Sequence, residues 1–301
     1  MALYASVRRS LAVVALTVAA GSFVGCGGRN APTVVPDQEA DTYLFTEGTR
    51  ALEARRWLTA REYFRRLVDT YPTSRHRQDA KLGIGDSYLG ERRIESDVLA
   101  VGEFREFLRF YPLSPRADYA QYRLALAQSR QMLSPERDQT ATQETLKELK
   151  VFTTNYPASQ YLPEVLKLER ETRDHLSESE FLVGRHYYRS RWYTGAVKRL
   201  EDLLKTDPQF TGRDGAYFFL GEAYSKQNKY AEARTYYQKV LDEFRVSEYL
   251  DDAKKRLATI EALPASVTDA TPAPGSARQE SSPAAPPVAP PAGPAASPAN
   301  R

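Results

Sequence analysis

Between residues 41 and 263 the apolar positions recur at the three- and four-residue spacing of helices that bury one face. The pattern is broken by a recurring tetrapeptide. Tyr71-Pro72-Thr73-Ser74, Tyr111-Pro112-Leu113-Ser114 and Tyr156-Pro157-Ala158-Ser159 are three copies of Tyr-Pro-x-Ser, and Asp207-Pro208 is a degenerate fourth. The prolines stand about 40, 45 and 51 residues apart. Proline stops one helix, and the serine two residues on is expected to cap the next by accepting from its free amides. Periods of this length belong to stacked helical hairpins.

A finer register lies inside the period. The tetratricopeptide repeat pairs two helices, with a small residue at position 8, Tyr at 11, Ala at 20, an aromatic or Leu at 24 and Pro at 32. The first copy supplies Gly48, Ala51, Ala60, Phe64 and Pro72. The second supplies Gly85, Tyr88, Ala100, Phe104 and Pro112, with about three residues inserted. The third gives Ala125, then Leu149 and Pro157 after an insertion of about eight. The fourth is Gly184, Tyr187, Ala196, Leu200 and Pro208; the fifth is Gly221, Tyr224, Ala233 and Tyr237, with Arg245 where proline would stand. Small residues let two helices approach, and large ones fill the space between hairpins. The fold class predicted is therefore all-α, a tetratricopeptide superhelix of about five hairpins with a capping helix over Tyr249–Leu263. Residues 162–190 hold only Pro163 as a breaker and predict one long linking helix. The expected domains are repeats 1–3 over residues 41–160 and repeats 4–5 over 161–263.

The two ends differ from this body. Arg8 and Arg9 precede an apolar run from Leu11 to Ala20, the plan of a secretion signal over residues 1–25 and too short to span a bilayer. Phe23-Val24-Gly25-Cys26 resembles a lipoprotein cleavage box, with Phe23 in place of the usual Leu. Cys26 is the single cysteine of the chain and is the expected lipidation site. Residues 26–40 read as a tether. Residues 264–301 are almost entirely Ala, Pro, Ser and Gly, a composition that cannot build a core.

Composition narrows the chemistry. With 42 Lys and Arg against 39 Asp and Glu the net charge is +3, too even for a nucleic-acid binder. One cysteine excludes an internal disulfide and a cysteine metal site. His76, His175 and His186 are scattered and lack metal spacing, and read as helix-surface residues. Leu82-Gly83-Ile84-Gly85-Asp86 lacks the third glycine and the preceding strand of a nucleotide loop. No catalytic constellation, metal or cofactor is expected, so the chain is predicted to work by binding.

The lipobox, the five hairpins, the Tyr-Pro-x-Ser breaks and the long helix of the fourth repeat together resemble the BamD family of outer-membrane assembly lipoproteins, over about residues 26–263. Sharper points of likeness are Ala60-x-x-x-Phe64-x-x-Leu67 before Tyr71-Pro72, Asp118-Tyr119-Ala120-x-Tyr122, the Arg137-Asp138-Gln139 turn, and His186-Tyr187-Tyr188 before Ala196-Val197-Lys198-Arg199. The Pro-rich tail and Arg245 depart from the family pattern. The resemblance implies a scaffold on the periplasmic face of the outer membrane, held there by its acyl chains. Its partners would be a BamA-like barrel insertase, other assembly lipoproteins and unfolded outer-membrane proteins. It also implies that Arg199, with Lys198 beside it, pairs with an acidic residue of the insertase. Independently, the inward positions of the first helices form a candidate peptide groove of Phe45, Thr49, Leu82, Asp86, Tyr119, Tyr122 and Arg130, suited to an extended chain ending in an aromatic residue. Rival readings are a pilus-secretin pilotin, a peptidoglycan-associated coordinator, and a non-catalytic subunit of a wall-processing enzyme.

Overall fold

Glycine against ring is the contact that closes three of the hairpins. The computed structural model describes residues 37–264, so Cys26, the signal segment, most of the tether and all but the first residue of the tail lie outside the described residues. Among the described residues there are eleven helices: α1 Asp37–Glu53, α2 Trp57–Thr70, α3 Arg77–Gly90, α4 Ile94–Phe110, α5 Ala117–Ser129, α6 Thr140–Asn155, α7 Leu162–Arg189, α8 Tyr193–Thr206, α9 Arg213–Lys226, α10 Tyr230–Glu243 and α11 Leu250–Glu261. A Cβ added to Gly48 would stand 2.6 Å from the Phe64 ring, one on Gly85 2.7 Å from Phe104, and one on Gly221 2.6 Å from Tyr237. Gly184 meets Leu200 in the same way at 2.6 Å. These are positions 8 and 24 of the repeat. The position-20 alanines Ala60, Ala100, Ala196 and Ala233 are all fully buried, as close helix approach requires. Gly83 abuts the other edge of Phe64, so that ring is held between two glycines.

Two compact units result, dividing between Ala127 and Gln128. The division falls inside the third hairpin, just before the α5–α6 connection over residues 130–139. The first unit packs Phe64, Phe104 and Phe107 with Leu67, Leu82 and Leu89 into one core. In the second unit Phe181, Leu200, Phe210 and Leu220 form one cluster, and Tyr217, Phe218, Tyr237, Val240 and Leu257 another. The predicted linking helix is α7, 28 residues long. Helix α1 begins four residues before the expected start of the first repeat, taking residues 37–40 from the tether.

The Tyr-Pro-x-Ser breaks do more than stop helices. The serine is not the cap: His76 and Tyr161 occupy the cap positions, as does Tyr249 after the proline-free Phe244-Arg245-Val246-Ser247, and in each case the serine stands two residues earlier. Ser74 Oγ accepts from His76 N at 3.1 Å and donates to Asp41 Oδ2 at 2.6 Å, at the start of α1. Ser114 accepts from Arg116 N and donates to Gln78 in α3; Ser247 accepts from Tyr249 N and donates to Asp214 in α9. The hydroxyl thus organises its own turn and ties the N-termini of successive first helices together. At the degenerate break Asp207 takes over this role, receiving Arg170, Ser177 Oγ at 2.7 Å and its neighbour Gln209 N. Burial opposes the Asp207 charge, but the Arg170 guanidinium and Ser177 hydroxyl outweigh it and hold the carboxyl below 3.8.

Four of the five first-to-second-helix turns, all but that of the third hairpin, contain a left-handed residue. Arg55, Arg92, Arg191 and Asn228 have φ of 57°, 55°, 62° and 61°. Three of these turns close with a six-residue hydrogen bond, Arg56 N to Ala51 O, Trp192 N to Tyr187 O and Lys229 N to Tyr224 O. That geometry favours glycine, yet arginine fills it three times.

Candidate functional sites on the two units

In the first unit, Phe45 is half-buried, stacked on His76 with centroids 4.5 Å apart and planes 11° from parallel. With Thr46, Thr49, Arg50 and Glu53 it lines a shallow open depression along α1. Asp86 of α3 accepts from Tyr119 OH at 2.8 Å and from Arg123 at 2.7 Å, both on α5. Burial raises the Asp86 pKa against the pull of Arg123, and burial together with the Asp86 charge raises that of Tyr119. Arg116 sits 4.7 Å from the Tyr119 ring centre. Tyr122 is half-buried on the same helix.

The groove drawn from sequence is therefore corrected at two places. Leu82 is 2 % exposed and belongs to the core; it faces inward with Ile84 and Leu89, so no ligand reaches it. Asp86 and Tyr119 are hydrogen-bonded to each other, and what faces outward there is a satisfied network rather than an open carboxylate. Phe45 and Thr49 line the depression. Arg130 lies in the second unit.

On the second unit, Arg199 of α8 is 49 % exposed, and Lys198 beside it is exposed. The Arg199 guanidinium stands 3.6 Å from Glu180 of α7, itself half-exposed. A pair this open adds little to stability, about 0–1 kcal/mol, and leaves the arginine able to exchange partners. The near neighbour Glu201 is committed elsewhere: it accepts from Tyr224 OH at 2.6 Å and Tyr236 OH at 3.3 Å, whose rings are stacked 5.7 Å apart.

Sequence reasoning missed the strongest polar cluster of this unit. Glu222 on α9 is buried and accepts from Tyr188 OH at 2.8 Å, Tyr237 OH at 2.7 Å and Arg256 Nε at 2.6 Å. It joins α7, α9, α10 and the capping helix α11. The signal was a carboxylate at the residue after the position-8 glycine, inside an otherwise apolar helix face. No group of His, Cys, Asp and Glu among the described residues could hold a metal, and none of these described helices is long and apolar enough to cross a membrane.

Residues 37–240 match the family described as YfiO, outer membrane lipoprotein. The chain belongs to that family. Its YfiO relatives include the outer membrane protein assembly factor BamD of Caulobacter vibrioides, 29 % identical over 72 % of this chain and 70 % of the relative. BamD of Xylella fastidiosa is 27 % identical over 61 % of this chain and 65 % of its own length. BamD of Vibrio cholerae is 26 % identical over 61 % of this chain and 78 % of that protein. Among solved structures, the TPR2AB domain of yeast Sti1 in its pHSP90 complex covers 74 % of this YfiO chain and 84 % of that one, with 14 % identity and a TM-score of 0.44.

Proposed function

We propose that this YfiO-family chain is a non-catalytic scaffold of outer-membrane protein assembly, anchored by lipid at Cys26, that holds a barrel insertase through its second unit and receives unfolded outer-membrane proteins on its first. The observation that carries the insertase half is Arg199. It is half-exposed, loosely paired and adjacent to exposed Lys198, on a helix locked by the neighbouring Leu200 against Gly184. Arginine's planar fork suits bidentate pairing with a carboxylate across an interface. The first unit supports the substrate half through the Phe45–His76 stack and the open depression beside it, an aromatic floor edged by Arg50 and Glu53. The Cys26 anchor and the inner-leaflet position rest on the lipobox and on membership of a lipoprotein family.

Arg199→Glu tests the insertase contact. The variant is expected to fold as the parent does and to lose co-purification with the insertase, and a Glu→Arg or Glu→Lys change on the partner should restore it. Loss of a buried interfacial pair would weaken binding by about 2–5 kcal/mol. Full insertase recovery with the single variant would remove Arg199 from the interface.

A further inference from the structure

The first two hairpins present an edge that neither proposed binding role uses. Trp57, at the start of α2, lays its ring on Gly90, where an added Cβ would stand 2.7 Å away. Arg61 of α2 reaches Glu91 at 2.5 Å. These contacts bring the α1–α2 turn beside the α3–α4 turn. The two turns carry Arg55-Arg56 and Arg92-Arg93, all four exposed. Immediately after them stand Leu58, 64 % exposed, and Ile94, 62 % exposed, with Val98 and Leu99 half-exposed one turn further along α4. Among the described residues, no carboxylate pairs with Arg55, Arg56 or Arg92. Arg93 lies 3.6 Å from the exposed Glu95. Glu91 is engaged by Arg61 and Ser96; Glu53 is the remaining exposed acid of the two turns, and Glu62, one turn beyond Leu58 on α2, is exposed as well. Four guanidiniums thus stand against three open carboxylates.

Arg55 and Arg92 occupy left-handed backbone where glycine would fit without strain. Their side chains stand on two adjacent turns, next to those of Arg56 and Arg93. We propose that this edge docks on the phosphate-bearing face of a phospholipid bilayer, with the arginines on headgroup phosphates and Leu58, Ile94, Val98 and Leu99 seated at the headgroup–acyl boundary. Guanidinium binds phosphate bidentately, and exposed aliphatic side chains beside a basic cluster are the pattern of an interfacial surface. A bilayer fits better than an acidic protein, because four exposed aliphatic side chains stand beside the arginines at two helix starts, and an acidic partner would answer the charge but not the apolar side chains. The ten residues from 27 to 36 reach about 35 Å when extended, against about 25 Å for α1, so a lipid on Cys26 would let this edge touch the same membrane.

The test is cosedimentation of the chain processed at Cys26 and carrying Cys26→Ser, so that no acyl chain contributes. Vesicles are phosphatidylcholine alone, or equal parts of phosphatidylcholine and phosphatidylglycerol. Binding to the mixed vesicles, weakened by salt and absent with phosphatidylcholine alone, is expected. Each arginine near an anionic surface contributes about fivefold, so Arg56→Glu with Arg93→Glu should lower binding at least tenfold. Leu58→Ser with Ile94→Ser should lower it too, with helicity by circular dichroism unchanged in both variants. Undiminished vesicle binding by either double variant, or no preference for anionic vesicles, contradicts the proposal. Loss of a co-purifying acidic protein with vesicle binding intact would assign the edge to that protein instead.

Discussion

Glycine has two opposite roles in this chain, and substitution separates them. At Gly221 an added methyl would meet the Tyr237 ring at 2.6 Å, so Gly221→Ala should destabilise by about 1–3 kcal/mol, read as a lower thermal midpoint. Gly102, exposed in the interior of α4, has nothing within 4 Å of an added Cβ. Gly102→Ala should therefore stabilise by about 1 kcal/mol through helix propensity alone. Equal effects at the two sites would mean that the hairpin register is misplaced. Arg191, at φ 62°, gives a third case: Arg191→Gly relieves a left-handed side chain and should raise the midpoint by about 2–4 °C, the equivalent of roughly 1 kcal/mol in a unit of this size. The register was legible in the sequence because each of its positions answers to a need for a small or a large residue in the neighbouring helix. Gly48, Gly85, Gly184 and Gly221 could be paired with Phe64, Phe104, Leu200 and Tyr237 without coordinates. Leu82 could not be placed, because a repeat position that faces a ligand in one hairpin faces the core in another.

At the scale of helices, polar anchors between elements decide what simple apolar packing leaves open. Glu222 holds the buried Tyr237 phenol, the half-buried Tyr188 phenol and Arg256, and Glu222→Ala would strand all three. We expect a loss of about 3–5 kcal/mol, measured by denaturant unfolding of the full chain, with α11 losing amide protection first. A change below 1 kcal/mol would show that the cluster is ornamental to the fold. Asp207 yields a pH prediction. Its folded pKa is depressed below 3.8, so its contribution is present above that value and lost as pH falls through the folded pKa. Asp207→Asn should therefore cost stability at neutral pH and narrow the gap to the parent as pH drops below about 4; a gap independent of pH would assign the loss to packing. Neither anchor was visible in sequence, since Glu222 and Arg256 are 34 residues apart and Asp207 and Arg170 are 37 apart. The serines of the Tyr-Pro-x-Ser breaks were visible, but as caps. The donation of Ser74 to Asp41 and of Ser114 to Gln78 depends on the stacking of hairpins, which no local pattern states.

For the whole molecule, the account joins a repeat scaffold, a lipobox and a family of outer membrane lipoproteins. Cys26→Ser should release the protein from the membrane fraction in high salt while its helix content stays unchanged; firm retention under those conditions would contradict anchoring through that thiol. The all-helical repeat class was readable from residues alone, and the family from the register with its breaks. Of the residues proposed for binding, Arg199 and Phe45 are accessible, whereas Asp86 and Tyr119 are consumed by each other and by Arg123. The most direct test of the central claim is to purify the unmodified chain from detergent-solubilised outer membrane and identify what accompanies it. The scaffold account predicts a β-barrel insertase bearing periplasmic repeats, in stoichiometric amount. A pilus secretin or a peptidoglycan-processing enzyme in its place would contradict it.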